Sequence, residues 1–189
     1  MIRLWSYGRA VVLFIILSMI LGVVGVVGAA YYAFPSDADI EGILVKADPE
    51  DKAPPQDFVR LVETAHSKGV STTALVAREL LNIYAPDDKR GALKWQVDYF
   101  LWDLLVKLRV PHEDLSGLYC SLAFNGEGKG VNALSGRVFS KPLSELSQEE
   151  MATLALMLRS PHQFLQGESV SKDKRDRLIS EFRRSGVGS

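Results

Sequence analysis

The sequence holds one cysteine, Cys120, so no disulfide can form within it. That excludes a small disulfide-stapled domain. Cys120 lies on an apolar helix end, a place that suits burial rather than reactivity. An excess of either charge is also missing. The 22 basic and 23 acidic residues leave a net charge of -1, which removes the electrostatic reason to expect a nucleic-acid partner. Histidine is scarce, and His66, His112 and His162 stand too far apart for metal-ligand spacing. No segment after Pro55 alternates apolar and polar residues over a strand's length. The fold class expected is therefore all-α.

What the chain does have is one long uncharged run. Val11 to Phe34 is built mainly of Val, Ile, Leu, Gly and Ala. As a helix it would extend roughly 36 Å, enough for a hydrocarbon core ~30 Å thick. Each charge at the bilayer centre costs about 2.5–3.5 kcal/mol, so an uncharged run of this length is selective. Arg3 and Arg9 precede it, and Asp37, Asp39 and Glu41 follow. The positive-inside rule then puts the N-terminus in the cytoplasm and the rest outside. Trp5, Tyr31 and Tyr32 occupy interfacial positions. The run is too long for the core of a signal peptide, so an uncleaved anchor is expected. The division expected is a cytoplasmic terminus (residues 1–10), a transmembrane helix (11–34), a linker (35–54) and one folded domain (55–185). The linker assignment rests on the four prolines Pro35, Pro49, Pro54 and Pro55 and on acidic, aperiodic composition.

Helical spacing recurs through the domain. Phe58, Leu61, Val62 and Ala65 share one face, and Leu75, Val76, Leu80 and Ile83 share the next after a Ser71 or Thr72 cap. Ala92 to Arg109 is apolar around most of its circumference, which predicts a buried central helix. Its regularly placed charges exclude a second bilayer crossing. Ser147 and Glu150 form a capping box before a stripe of Met151, Leu154, Ala155 and Leu158. A last basic amphipathic helix turns Leu178, Ile179 and Phe182 inward.

The stretch Leu115 to Pro161 carries the most information. It holds Leu115-Ser-Gly-Leu-Tyr119, then Phe124-Asn-Gly-Glu-Gly-Lys-Gly-Val131, then Arg137-Val-Phe139-Ser-Lys141-Pro142, then the capped helix running to Pro161. In order and spacing this resembles the second half of the family 51 peptidoglycan glycosyltransferases. That family has a Tyr-Leu-Asn helix end, a glycine-rich Phe-Gly turn, a Tyr-Phe-Gly-Lys corner and a Leu-x-x-x-Glu-x-Ala-x-Leu-Ala helix. Thr73-Ala-Leu-Val-Ala-Arg78 resembles the tail of the family's Thr-rich motif, and the likeness spans about Thr72 to Arg184.

The resemblance implies a lysozyme-like glycosyltransferase domain behind a single-pass anchor in a bacterial inner membrane. The domain would lie on the periplasmic side. The implied partners are lipid-linked peptidoglycan precursor, the membrane and other cell-wall synthesis proteins. No cofactor is evident from the residues, and a divalent metal enters only through the resemblance. The family reaction needs a carboxylate as general base and cations against the departing pyrophosphate. Arg78, Lys89, Arg90 and Lys94 form the candidate cation cluster; a solvated helix face is the bland alternative. Glu63 is the candidate base, three residues before His66, which as a cation would complement its helix dipole. Departures fall on functional positions. Tyr99 stands where the family's second glutamate belongs, Ala74 and Leu75 replace two glutamines, and Asn132 replaces a glutamate. Two readings follow: a divergent enzyme using Glu63 or another acid that the motifs do not single out, or a binding or scaffold protein that kept the fold and lost catalysis. A lysozyme-like hydrolase with Glu63 as its acid is a third.

Overall fold

A computed structural model describes residues 2–66, 70–86, 89, 91–161, 163 and 169–186, with side chains from residue 12 onward. Among these residues every regular element is helical. The nearest thing to a strand is one bridge between Phe124 and Lys129.

Helix α1 (Ile2–Ala33) stands apart from the rest. Its side chains from Val12 to Gly28 are exposed, and it is long and apolar enough to cross a membrane. Burial begins at its C-terminal end with Ala30 and continues at Phe34. Phe34 meets the Trp102 ring at 5.2 Å, and that contact ties the end of α1 to the folded part.

Residues 35–54, expected as a linker, are instead folded into the domain. They form α2 (Asp37–Lys46) and α3 (Pro49–Lys52), and both pack on α7 (Leu115–Leu122). The local reasons are legible. Ser36 and Asp39 make a reciprocal capping box, and Asp48 caps α3 with Pro49 at its first turn. Ile40 is buried, which fixes α2 against the core.

The domain proper pairs α4 (Gln56–His66) with α9 (Gln148–Arg159), and α5 (Thr72–Tyr84) with both α6 (Ala92–Arg109) and α7. The C-terminal helix α10 (Lys172–Gly186) covers α9 and α4. As the spacing predicted, Phe58, Leu61, Val62 and Ala65 of α4 are buried, as are Leu178, Ile179 and Phe182 of α10. The capping box on α9 is present, with Glu150 N–H donating to Ser147 Oγ at 3.3 Å and Ser147 N–H donating to Glu150 Oε2 at 2.8 Å. Lys141 adds a 2.8 Å ion pair and holds the Glu150 carboxyl at a pKa of about 2.

Helix α6 departs from expectation. It was expected to be enclosed, yet only Trp102 and Val106 are fully buried. Its circumference is apolar because it has two apolar faces, and one of them points away from the protein. Composition gives the breadth of an apolar surface but not what covers it.

Two close approaches pin the short helix α3. A Cβ on Gly117 would lie 2.6 Å from the Lys52 carbonyl oxygen, so only glycine lets α7 come this near. Gly130, at φ 99°, would put a Cβ 2.9 Å from Asp51 Oδ2. Asp51 itself is buried, and its Oδ1 accepts from the amides of Val131 (3.1 Å) and Asn132 (2.8 Å) at the start of α8 (Val131–Phe139). Asp48 and Glu50 add bonds to Asn132 Nδ2 and to the Ser144 N–H and hydroxyl. A segment read as a spacer is therefore the clamp on α8.

Candidate functional site

The glycine-rich turn after α7 is rigid for a specific reason. Asn125 is buried and works in both directions. Its Nδ2 donates to the Gly130 carbonyl at 2.9 Å, while its Oδ1 accepts from the amides of Glu127 and Gly128 at 3.2 and 2.9 Å. Gly126 and Gly130 supply the positive φ angles that such a fold requires. Arg137 of α8 then locks the turn from outside, reaching the Asn125 carbonyl at 2.6 Å and Glu127 at 2.8 Å.

Two cavities flank this turn. One, of about 260 Å³, lies between the turn, Leu134, Arg137 and Val138 of α8, and Met157. The other, of about 400 Å³, lies between α5, α7, the turn and the end of α9. Phe124 and Pro161 line both, so the cavities adjoin across that pair.

The larger cavity has a cationic wall. Arg78 of α5, Lys129 of the turn and Arg159 of α9 line it, together with one carboxylate, Glu79. The Arg78 guanidinium holds Glu79 through Nε at 3.2 Å and Nη2 at 3.0 Å. Neither Lys129 nor Arg159 makes a side-chain hydrogen bond or ion pair among the described residues. Tyr119 closes the floor, and burial pushes its hydroxyl pKa well above the usual value. Three cations against one carboxylate leave an anion-seeking cleft, and its volume lies within the ~300–1,000 Å³ usual for small-molecule sites.

His66 reports the same field. Burial lowers its pKa first, and the nearby Arg78 and Arg159 charges lower it further, against a 3.0 Å hydrogen bond to the Val62 carbonyl. It was expected as a cation serving a helix dipole. The structure makes it a half-buried ring biased to neutrality.

The residues singled out from sequence have separated. Arg78 lines the cleft, whereas Lys89 and Lys94 do not. Lys94 sits in the first turn of α6 and pairs with Asp98 one turn on, at 3.0 Å. Arg90 lies outside the described residues, as does His162. Of the described members of that sequence cluster, Arg78, Lys89 and Lys94, Arg78 alone lines the cleft. Glu63 is engaged as well. Its Oε1 accepts from the Thr72 N–H at 3.0 Å and the Thr72 hydroxyl at 2.5 Å, latching the start of α5 to α4. It lines neither cavity. Tyr99, at the position of the expected second glutamate, is half-buried and stacked on Trp95 at 5.0 Å.

No family model matches this chain, and neither does any curated protein or solved structure.

Lys129 and Arg159 were missed in the sequence because they are far from Arg78 along the chain. A weak signal was present: both lie inside the Leu115–Pro161 stretch, one between two glycines and one just before a helix-ending proline. Cys120 is buried, and that burial raises its thiol pKa well above normal, which disfavours the thiolate.

Proposed function

We propose that this protein is a membrane-anchored, lysozyme-like relative of the family 51 peptidoglycan glycosyltransferases. It binds the pyrophosphate of a lipid-linked cell-wall precursor without polymerising it. The anchor holds it in a bacterial cytoplasmic membrane with the domain outside. The observation that carries the reading is the cleft in which Arg78, Lys129 and Arg159 come together. Most of its wall, from Tyr119 and Phe124 to Lys129, Arg159 and Pro161, comes from the same stretch that resembles the family. Two guanidiniums and an ammonium suit adjacent phosphates, which accept multiple charge-assisted hydrogen bonds.

The same geometry argues for binding over catalysis. A general base needs a carboxylate within hydrogen-bond reach of the reacting hydroxyl. The carboxylate lining the cleft, Glu79, is already held by Arg78, and Glu63 is held by Thr72. A scaffolding role alongside other cell-wall synthesis proteins follows from this reading.

The test uses full-length protein in lipid nanodiscs with lipid-linked disaccharide pyrophosphate. Saturable binding is expected, with no polymer formed. Each of Arg78→Ala and Arg159→Ala should weaken it by roughly tenfold or more, since a hydrogen bond to a charged group contributes about 1.5–3 kcal/mol. Polymer formation would restore the enzymatic reading. Sugar released from finished cell wall would favour the hydrolase, and absence of binding would remove the proposal.

A further inference from the structure

The outward face of α6 is a continuous apolar stripe. Leu93, Val97, Phe100, Leu104 and Leu108 recur at helical spacing and are all exposed, Leu93 at 75%, Phe100 at 66% and Leu108 at 72%. At ~100° per residue these five fall within roughly 80° of arc. Trp102 and Val106, the buried residues, lie on the opposite side. The acids Asp98 and Asp103 fall about 100–120° from the centre of the stripe, where no acid interrupts it. Soluble surfaces rarely keep a patch of this kind uncovered.

The position of α6 relative to α1 identifies what covers it. Arg109, the residue after Leu108, bonds Asp37 at 2.6 Å and lies over the Tyr31 and Phe34 rings at 5.5 and 5.3 Å. Those rings end the bilayer-length helix. One end of the stripe therefore sits at the level where α1 leaves its apolar run. The end of α1 meets α6 through Trp102 and Arg109, on the side away from the stripe. The end of α1 is lodged against the inner side of α6, which leaves the outer side uncovered by α1 while its Leu108 end stays next to the Arg109 contact with α1. An apolar face of Leu and Phe with basic residues at its margins, here Lys94 and Lys107, is the composition of helices that lie in a membrane interface. The lysine stems can run along the apolar face while their amines reach water.

We infer that α6 is a second membrane contact, lying in the outer interface of the bilayer that α1 spans, with Leu93, Val97, Phe100, Leu104 and Leu108 among the acyl chains. This rests on α1 spanning that bilayer. The two-point attachment would fix the domain's tilt, so that its cleft keeps one height above the lipid surface.

Full-length protein in phosphatidylethanolamine–phosphatidylglycerol vesicles tests it, using nitroxides attached to single introduced cysteines. Native Cys120 is buried and does not compete for the label. Phe100→Cys and Leu104→Cys probe the stripe, Leu17→Cys probes the middle of α1, and Ser180→Cys on α10 is the water-facing control. The stripe and Leu17 sites should collide more with dissolved oxygen. They should collide roughly threefold less, or lower still, with a water-soluble nickel complex than the Ser180 site, because an interfacial face is sunk ~5–10 Å below the headgroups. Stripe labels as open to nickel as Ser180, with Leu17 shielded, would overturn the second contact while leaving the anchor intact. Stripe labels shielded from both reagents and broadened by spin–spin coupling would overturn it too, because the face would then be packed on a second copy. Leu17 open to nickel would overturn the anchor and this inference together.

Discussion

Replacing Asp51 separates a charge from a hydrogen-bond acceptor at one buried position. Burial raises its pKa from 3.8 to about 6, opposed by the Asn132 and Val131 amides and assisted by Asp48 and Glu50. Because the folded-state pKa lies above the unfolded one, the contribution to stability is fully present below pH ~3.8 and is lost as pH rises through about 6. At ~1.36 kcal/mol per unit, the shift corresponds to about 2–3 kcal/mol lost between acid and neutral pH. Both amide bonds go to Oδ1, so Asp51→Asn keeps an acceptor for each and removes the proton linkage. Its thermal midpoint should be equal to or above wild type at neutral pH, and flat where the wild type falls. Asp51→Ala instead strands the buried Val131 N–H and its half-buried neighbour. That should cost about 2–4 kcal/mol. For a chain of this length the midpoint would drop by roughly 4–16 °C. Far-ultraviolet circular dichroism of the detergent-solubilised full chain reads all three proteins across about pH 4 to 7. Subtracting the Asp51→Asn curve from wild type isolates this group from the other titrations. The reasoning is refuted if Asp51→Asn falls as far as Asp51→Ala at neutral pH, or if it retains the wild-type slope.

Other consequences are simpler to measure. Gly117→Ala should destabilise the fold by about 1–3 kcal/mol in the same melts, since its Cβ would meet the Lys52 carbonyl at 2.6 Å and backbone cannot step aside. Ser147→Ala removes the α9 cap and should cost about 1 kcal/mol, a shift a denaturation midpoint resolves. His66 has a folded pKa below its unfolded value. Its contribution is therefore present above the unfolded pKa of ~6.5 and is lost as pH falls below it. His66→Gln should lessen that acid-side loss, and an NMR titration of the imidazole should show a midpoint below the free value. Glu63→Gln, which leaves one oxygen to accept from Thr72, should alter the proposed precursor binding little and stability modestly. Abolished binding with an intact fold would return Glu63 to the site.

Most helices were legible because their signals are local. Ser147 with Glu150, Ser71 before α5, and the 3.6-residue spacing on α4 and α10 each depend on residues within one or two turns. The membrane-length helix was legible because length and lack of charge are one-dimensional properties. The Asp48–Asp51 segment was not, because its partners are about eighty to ninety residues away. Composition made it look like a spacer, and three of its carboxylates proved to be the clamp on α8 and the turn beyond it.

What the sequence determined by itself was therefore the helical class, the caps at Ser71 and Ser147, the long apolar run and the apolar sides of the helices after Pro55. These follow from propensity and period, which act between near neighbours. Only the tertiary structure decided which cations share a cleft. It put Arg159 and Lys129 beside Arg78 from distant parts of the chain and left Lys94 to its helical partner Asp98. It also decided which apolar face of α6 is covered by protein. The physical reason is the same for both: charge convergence and burial are set by how helices pack, and the pattern along one helix does not contain that information.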